Sequence, residues 1–212
     1  MNLDDRAAER ADEHTTAEGD VARATSAPVR FCVVDVETSG LSAKRHKVLQ
    51  VAAVSVLEDG TITDQWCSLV RPRFRWFFRI GPRHIHGLRR HDLRQAPTLT
   101  AAMAQLQQRL DGAIFTAHNA RFDAEFLAKA SGRAGVALTI SPALCTLQLS
   151  RKLDPQRQVS HRLADVCERY KVALDHPHDA LYDALAAAAV LPHLLLAHQA
   201  TTPELVYQLI GA

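Results

Sequence analysis

The chain has 212 residues, 47% of them hydrophobic and 23% charged, with a formal net charge of +2. That length supports a sizeable core in one globular domain; no apolar run reaches the ~18 residues of a membrane span, and the acidic start lacks the apolar segment of a secretory signal. Four dispersed cysteines (Cys32, Cys67, Cys145, Cys167) show no C-x-x-C spacing, which excludes a disulfide framework or zinc ribbon and points to free thiols in a reducing, cytoplasmic setting.

Residues 1–28 hold seven acids against three arginines, a net of −4 that leaves +6 on residues 29–212. Apart from Val21, this segment has no large apolar residue after Leu3, so burial cannot offset its ordering entropy and a disordered or loosely helical arm is expected. The folded domain is expected over residues 29–212, and its mildly basic balance suits a polyanionic partner. Val29 to Val36 is nearly all apolar, as in a strand buried on both faces. Lys47 to Leu57 and Thr61 to Val70 flank an Asp59-Gly60 turn and read as a hairpin. Arg71 to Pro97 has no period and three prolines, the mark of a long connection. Thr98 to Leu110 is amphipathic at helical spacing. Ala113 to Ala117 is a strand, after which Asn119 is expected to cap a helix to about Ser131. Pro142 to Thr146 is a short fifth strand, and Ser160 to Tyr170 a capped helix. An alanine-rich helix follows Pro177 to about Leu191, with Pro192 kinking or stopping it, and a last helix covers Pro203 to Ile210. A three-strand meander followed by strand–helix units predicts an α/β domain with a mixed sheet.

Four acids stand where a core does not want them. Asp35 and Glu37 end the first strand in FCVVDVETSG and, with a period of two, leave the same face of it. Two like charges beside a low-dielectric wall are unfavourable unless a cation neutralises them, although a strand that simply ends in solvent would leave both hydrated. Asp123, in TAHNARFDAEFL, lies one turn past Asn119, near the carboxyl ends of strands where α/β sheets place ligands. Asp183 sits among small residues that let a helix approach a sheet, four residues after Asp179. His178 precedes it, an imidazole suited to proton transfer near neutral pH in a chain with eleven histidines.

D-x-E with T-S-G, then H-N-x-x-F-D, then H-x-x-x-x-D, together resemble the DEDDh (DnaQ-like) 3′–5′ exonucleases, from about Phe31 to Leu191. HKVLQVAAV, IHGL and LADVCERY agree with that resemblance. It implies a ribonuclease H-like mixed five-stranded sheet flanked by helices. It further implies that Asp35, Glu37, Asp123 and Asp183 hold two divalent cations, Mg²⁺ or Mn²⁺, about 3.5–4 Å apart, with His178 as the general base toward the attacking water. Thr38, Leu41, Gln50, Asn119 and Phe122 would line the pocket for the terminal nucleotide. Relatives carry a glutamate where this chain has Gln50, so altered affinity or sugar preference is expected there.

Arg71 to Arg94 contains eight arginines, one acid and four interleaved aromatics (Phe74, Trp76, Phe77, Phe78), a composition suited to single-strand contact. A zinc site from His84, His86 and His91 is a weak alternative, since no cysteine lies nearby. The expected function is release of nucleoside 5′-monophosphates from 3′ ends of single-stranded or frayed DNA, in repair, trimming or proofreading. The alternatives are the same chemistry on RNA ends, or a non-catalytic nucleic-acid or polymerase-binding module. Partners expected are DNA 3′ ends and a DNA polymerase in trans, with no membrane.

Overall fold

The computed structural model describes residues 28–73 and 79–211. The acidic arm up to residue 27 and the aromatics Phe74, Trp76, Phe77 and Phe78 lie outside the described residues. Five strands, β1 (Arg30–Thr38), β2 (Val48–Leu57), β3 (Ile62–Leu69), β4 (Ile114–Ala117) and β5 (Ala143–Cys145), form one sheet in the order β3-β2-β1-β4-β5. β1, β2 and β3 pair antiparallel as the expected meander, and β4 and β5 add parallel to β1. The Asp59-Gly60 turn closes the hairpin, with the Asp59 carboxylate accepting from the Thr61 N–H at 2.8 Å and Gly60 at φ +91°.

Helices cover both faces. The period of two sends Phe31 and Val33 of β1, with Ala52 and Val54 of β2, into one core, covered by α4 (Thr146–Lys152), α5 (Leu163–Tyr170), α6 (Ala180–Ala197) and α7 (Pro203–Gly211). Cys32, Val34 and Val36 point the other way, against α2 (Leu99–Leu110) and α3 (Ala120–Ala134), where Met103, Leu106 and Leu127 are fully buried. Thr98 caps α2 as its sequence suggests, its hydroxyl accepting from Ala101 N–H at 3.2 Å. The connection after β3 contains a single helical turn, α1 (Arg83–His86), and packs Ile80 and Leu93 on Leu49 as a separate small core.

Three helix expectations are corrected. Asn119 occupies the position before α3 but forms no side-chain cap; its backbone is left-handed (φ 73°, ψ 48°), because the chain must turn sharply out of β4. The helix expected from Ser160 begins at Leu163, since the Ser160 hydroxyl donates to the Asp165 carboxylate and accepts only from the N–H of Arg162, which precedes the helix. The helix expected after Pro177 starts at Ala180, with Asp179 accepting from Leu181 N–H at 3.0 Å, and Pro192 does not stop it, since it continues to Ala197. A proline inside a helix costs about 3 kcal/mol, but burying Leu194 and Leu195 beyond it contributes about 1.5–3 kcal/mol each. α6 has a mean hydropathy of 1.7, which by length and composition would let it cross a membrane. Its apolar residues instead pack on β1, β2 and α5, with half of its length buried inside the fold.

Candidate active site

The sheet and its two helical layers bring four carboxylates to the carboxyl end of β1. Asp35 and Glu37 extend the buried row of Phe31 and Val33, so the strand that builds the core also fixes both side chains. Asp123 enters from the first turn of α3 and is only 3% exposed, with the backbone N–H of Val36 bonded to its carboxylate. Asp183 enters from the first turn of α6, whose Ala180, Ala184 and Ala187 allow the helix to lie close on the sheet. His178, exposed and in a left-handed backbone conformation (φ 69°), donates its backbone N–H to the Asp183 carboxylate at 3.1 Å. Ligand atoms of Glu37, His178 and Asp183 lie within 4.8 Å of one another.

The electrostatics follow from that crowding. Burial, and then the charges of Asp123, Asp183 and Glu37, push the Asp35 carboxyl well above its usual range. Asp123 is pushed up in the same way, chiefly by burial. Glu37 is pushed up to about 8 by burial, with Asp183 and Asp179 adding repulsion. Burial also raises Asp183, partly offset by the hydrogen bond from His178. Carboxylates so placed cannot all ionise without a compensating positive charge, and a donor set dominated by carboxylate oxygens fits a hard divalent cation.

The other residues singled out in the sequence are distributed around this centre. Thr38 lies at the β1 bulge, 9% exposed, its hydroxyl donating to the Gly40 carbonyl at 2.9 Å. Leu41 is 87% exposed on the following turn. Gly81 (φ +84°) lies so close to the Ser39 carbonyl that a Cβ would collide with it, so the long connection returns directly onto this turn. Phe122 packs on Phe126 with ring centroids 4.9 Å apart, and Asn119 is exposed beside it. Gln50 faces Glu37 across the β1–β2 ladder, but its amide is turned to α6. Its Oε1 accepts from Ala180 N–H at 3.4 Å, and its Nε2 donates to the Asp179 carboxylate at 3.5 Å and to Cys67 Sγ at 3.3 Å.

Asp179 is the contributor that spacing alone does not reveal: it caps α6 and its charge reaches Asp35, Glu37 and Asp183. The one available signal is an aspartate directly after His178 at the start of a helix. The connection's histidines do not converge as a zinc site. Both His86 ring nitrogens are engaged, by the Ile80 carbonyl and Leu88 N–H at 3.1 Å each, and His91 pairs with Asp92 at 2.8 Å.

A mixed five-stranded sheet with helices on both faces and acids clustered at the end of its central strand defines a ribonuclease H-like, DnaQ-like 3′–5′ exonuclease domain. The RNase T exonuclease family model matches residues 32–191, and the chain belongs to that family. The DNA polymerase III PolC-type of Lacticaseibacillus paracasei is 37% identical over 166 residues, covering 78% of this chain and 11% of that protein. The PolC-type polymerase of Streptococcus thermophilus is 32% identical over 161 residues, 76% of this chain and 11% of its own length. The chain thus spans about a tenth of these curated relatives. Among solved structures, exonuclease X in complex with 5′ overhanging duplex DNA superimposes with a TM-score of 0.64 at 24% identity, covering 86% of this chain and 99% of that one. The zinc-bound E. coli exonuclease I–single-stranded DNA complex gives 0.71 at 19% identity, covering 86% and 43%. At those identities the structural likeness bears on the fold.

Proposed function

We propose that the chain is a metal-dependent 3′–5′ exonuclease that releases nucleoside 5′-monophosphates from the 3′ ends of single-stranded or frayed DNA. The observation carrying this reading is the convergence of Glu37, His178 and Asp183 beside the half-buried Asp35 and the buried Asp123. Asp35, Glu37, Asp123 and Asp183 would hold two divalent cations, Mg²⁺ or Mn²⁺. Such ions, when bound, stabilise charge developing on the phosphate and lower the pKa of water. His178 is exposed at the lip of the site, where its imidazole can take the proton of the attacking water and pass it to solvent. The turn from Thr38 to Leu41 and the Asn119–Phe122 edge flank the carboxylates and would hold the terminal nucleotide from two sides. Gln50 would act on that nucleotide only through α6, because its amide is already engaged there.

A supporting role beside a DNA polymerase in trans is the second reading; the PolC-type relatives, themselves polymerases that this chain matches over 11% of their length, link such a domain to a polymerase. The four free cysteines accord with a cytoplasmic enzyme. The test is a gel assay with 5′-labelled single-stranded DNA and matched RNA in Mg²⁺, Mn²⁺ or EDTA, beside Asp35→Ala. A metal-dependent ladder from the 3′ end of DNA, abolished in the variant, is expected. Preferential RNA degradation would move the same chemistry to RNA trimming, and cleavage of neither polymer would leave a binding module.

A further inference from the structure

Beside the carboxylates, on the far side of Asn119, a cleft of about 730 Å³ opens between the end of β4, α4 and the start of α5. Arg151, in the last turn of α4, Arg157, in the loop after it, and Arg162, immediately before α5, all line it, and no acid does. Among the described residues, none of these three guanidinium groups is in an ion pair.

The acids nearest in sequence are engaged elsewhere. Asp154 accepts from Val159 N–H at 3.0 Å and lies 3.2 Å from His161 Nε2, while Asp165 accepts from the Ser160 hydroxyl. The wall behind the arginines is a built polar network. His161, 8% exposed, lies 2.8 Å from the Ser150 hydroxyl through Nδ1. His118 bridges the Thr146 hydroxyl at 2.9 Å and the His161 carbonyl at 3.0 Å. Burial pushes the His118 imidazole down to about 4, so that ring adds no charge to the cleft near neutral pH, while the three arginines do. The lining contains no Phe, Tyr or Trp, and its two histidines are held in the wall by hydrogen bonds, so the exposed cationic groups are the arginines. Guanidinium groups without competing carboxylates are matched to phosphate oxygens. Asn119 belongs to both this cleft and the edge of the acidic site, since Asp123 lies one helical turn after it.

We propose that the cleft holds the phosphodiester backbone of the substrate strand upstream of its reacting 3′ nucleotide, with Arg151, Arg157 and Arg162 as the phosphate contacts. This rests on the nuclease reading and adds to it a second binding segment that is indifferent to base and sugar. It makes affinity depend on strand length: a dinucleotide engages the acidic site alone, and a longer strand also fills the cleft.

The experiment is fluorescence anisotropy in Mg²⁺, with labelled dinucleotide and octanucleotide whose linkages are non-hydrolysable so that no turnover occurs, over a salt series. Wild type is compared with the triple variants Arg151→Ala/Arg157→Ala/Arg162→Ala and Arg151→Lys/Arg157→Lys/Arg162→Lys, and thermal melts verify that each variant is folded. The alanine variant should bind the octanucleotide about tenfold to a hundredfold more weakly. Its log–log salt slope should fall by about 2, from about 0.7 per phosphate contact on a single strand. Dinucleotide affinity should stay unchanged, and the lysine variant should recover most of the slope. Octanucleotide binding that ignores the three arginines overturns the cleft while leaving the nuclease reading intact, as does an equal loss for both lengths. Failure of wild type to bind the octanucleotide at all overturns both.

Discussion

Glu37 shows how the site's charges act on the whole chain. Its pKa lies at about 8 against an ordinary 4.5, because burial and the neighbouring Asp183 and Asp179 disfavour the anion. Between those two values the folded chain holds a proton that the unfolded chain has released. The metal-free protein therefore keeps this contribution below about pH 4.5 and loses it as pH rises toward 8. Asp35, Asp123 and Asp183 are shifted in the same direction. Melts in EDTA should show Tm falling from about pH 5 to about pH 8, and Mg²⁺ should raise Tm more at the higher pH; a flat or rising Tm in EDTA contradicts the argument. Asp123→Asn isolates the effect, since an amide can still accept from Val36 N–H but carries no charge. That variant should melt several degrees higher than wild type in EDTA near pH 8, with nuclease activity reduced at least about a hundredfold. These acids are legible in the sequence because a period of two and a helical turn fix directions locally. Asn119 is read correctly in place and wrongly in role, because its left-handed backbone is set by the exit from β4 and not by its own helix.

Elements carry the second kind of control. α6 delivers Asp183, and its distance from the sheet is set by small side chains; Ala184 is fully buried. Ala184→Leu would force the helix outward, costing about 1–3 kcal/mol in urea unfolding, and should lower activity by more than the stability loss predicts, because Asp183 moves with it. Gln50 ties the same helix start to β2 through Ala180 and Asp179. Gln50→Leu removes the acceptor of Ala180 N–H and one of the two donors to Asp179, so it should weaken Mg²⁺ binding about tenfold while the core of the sheet stays intact, as read from the Mg²⁺ dependence of cleavage. An unchanged Mg²⁺ requirement would show that α6 holds its position without Gln50. The strand pattern and the amphipathic helices are legible along the chain, each being a local rule. The passage of α6 through Pro192 is not, since it depends on Leu194 and Leu195 finding a core formed by residues far away in sequence. The contacts of Gln50 with the start of α6 are likewise not legible, because its partners lie about 130 residues away.

At the scale of the molecule the charge is divided, −4 on residues 1–28 and +6 on the remainder. The basic part includes eight arginines between Arg71 and Arg94 as well as the three that line the cleft. A tethered acidic segment competes with a polyanion for that field, and its reach is governed by screening: about 30 Å at 0.01 M salt and about 8 Å at 0.15 M. Deleting residues 1–28 should therefore tighten single-stranded DNA binding at low salt. The difference should shrink steadily as salt rises and disappear once the Debye length falls to about 3 Å near 1 M. Because the segment changes only the charge competing for the phosphates, the deletion should also steepen the salt dependence of binding, which reports the number of counterions released. Equal affinities for both forms at low salt would mean that the arm lies outside the field of the groove. A gain that persists at high salt would mean that it blocks the strand by occupying space and not by its charge.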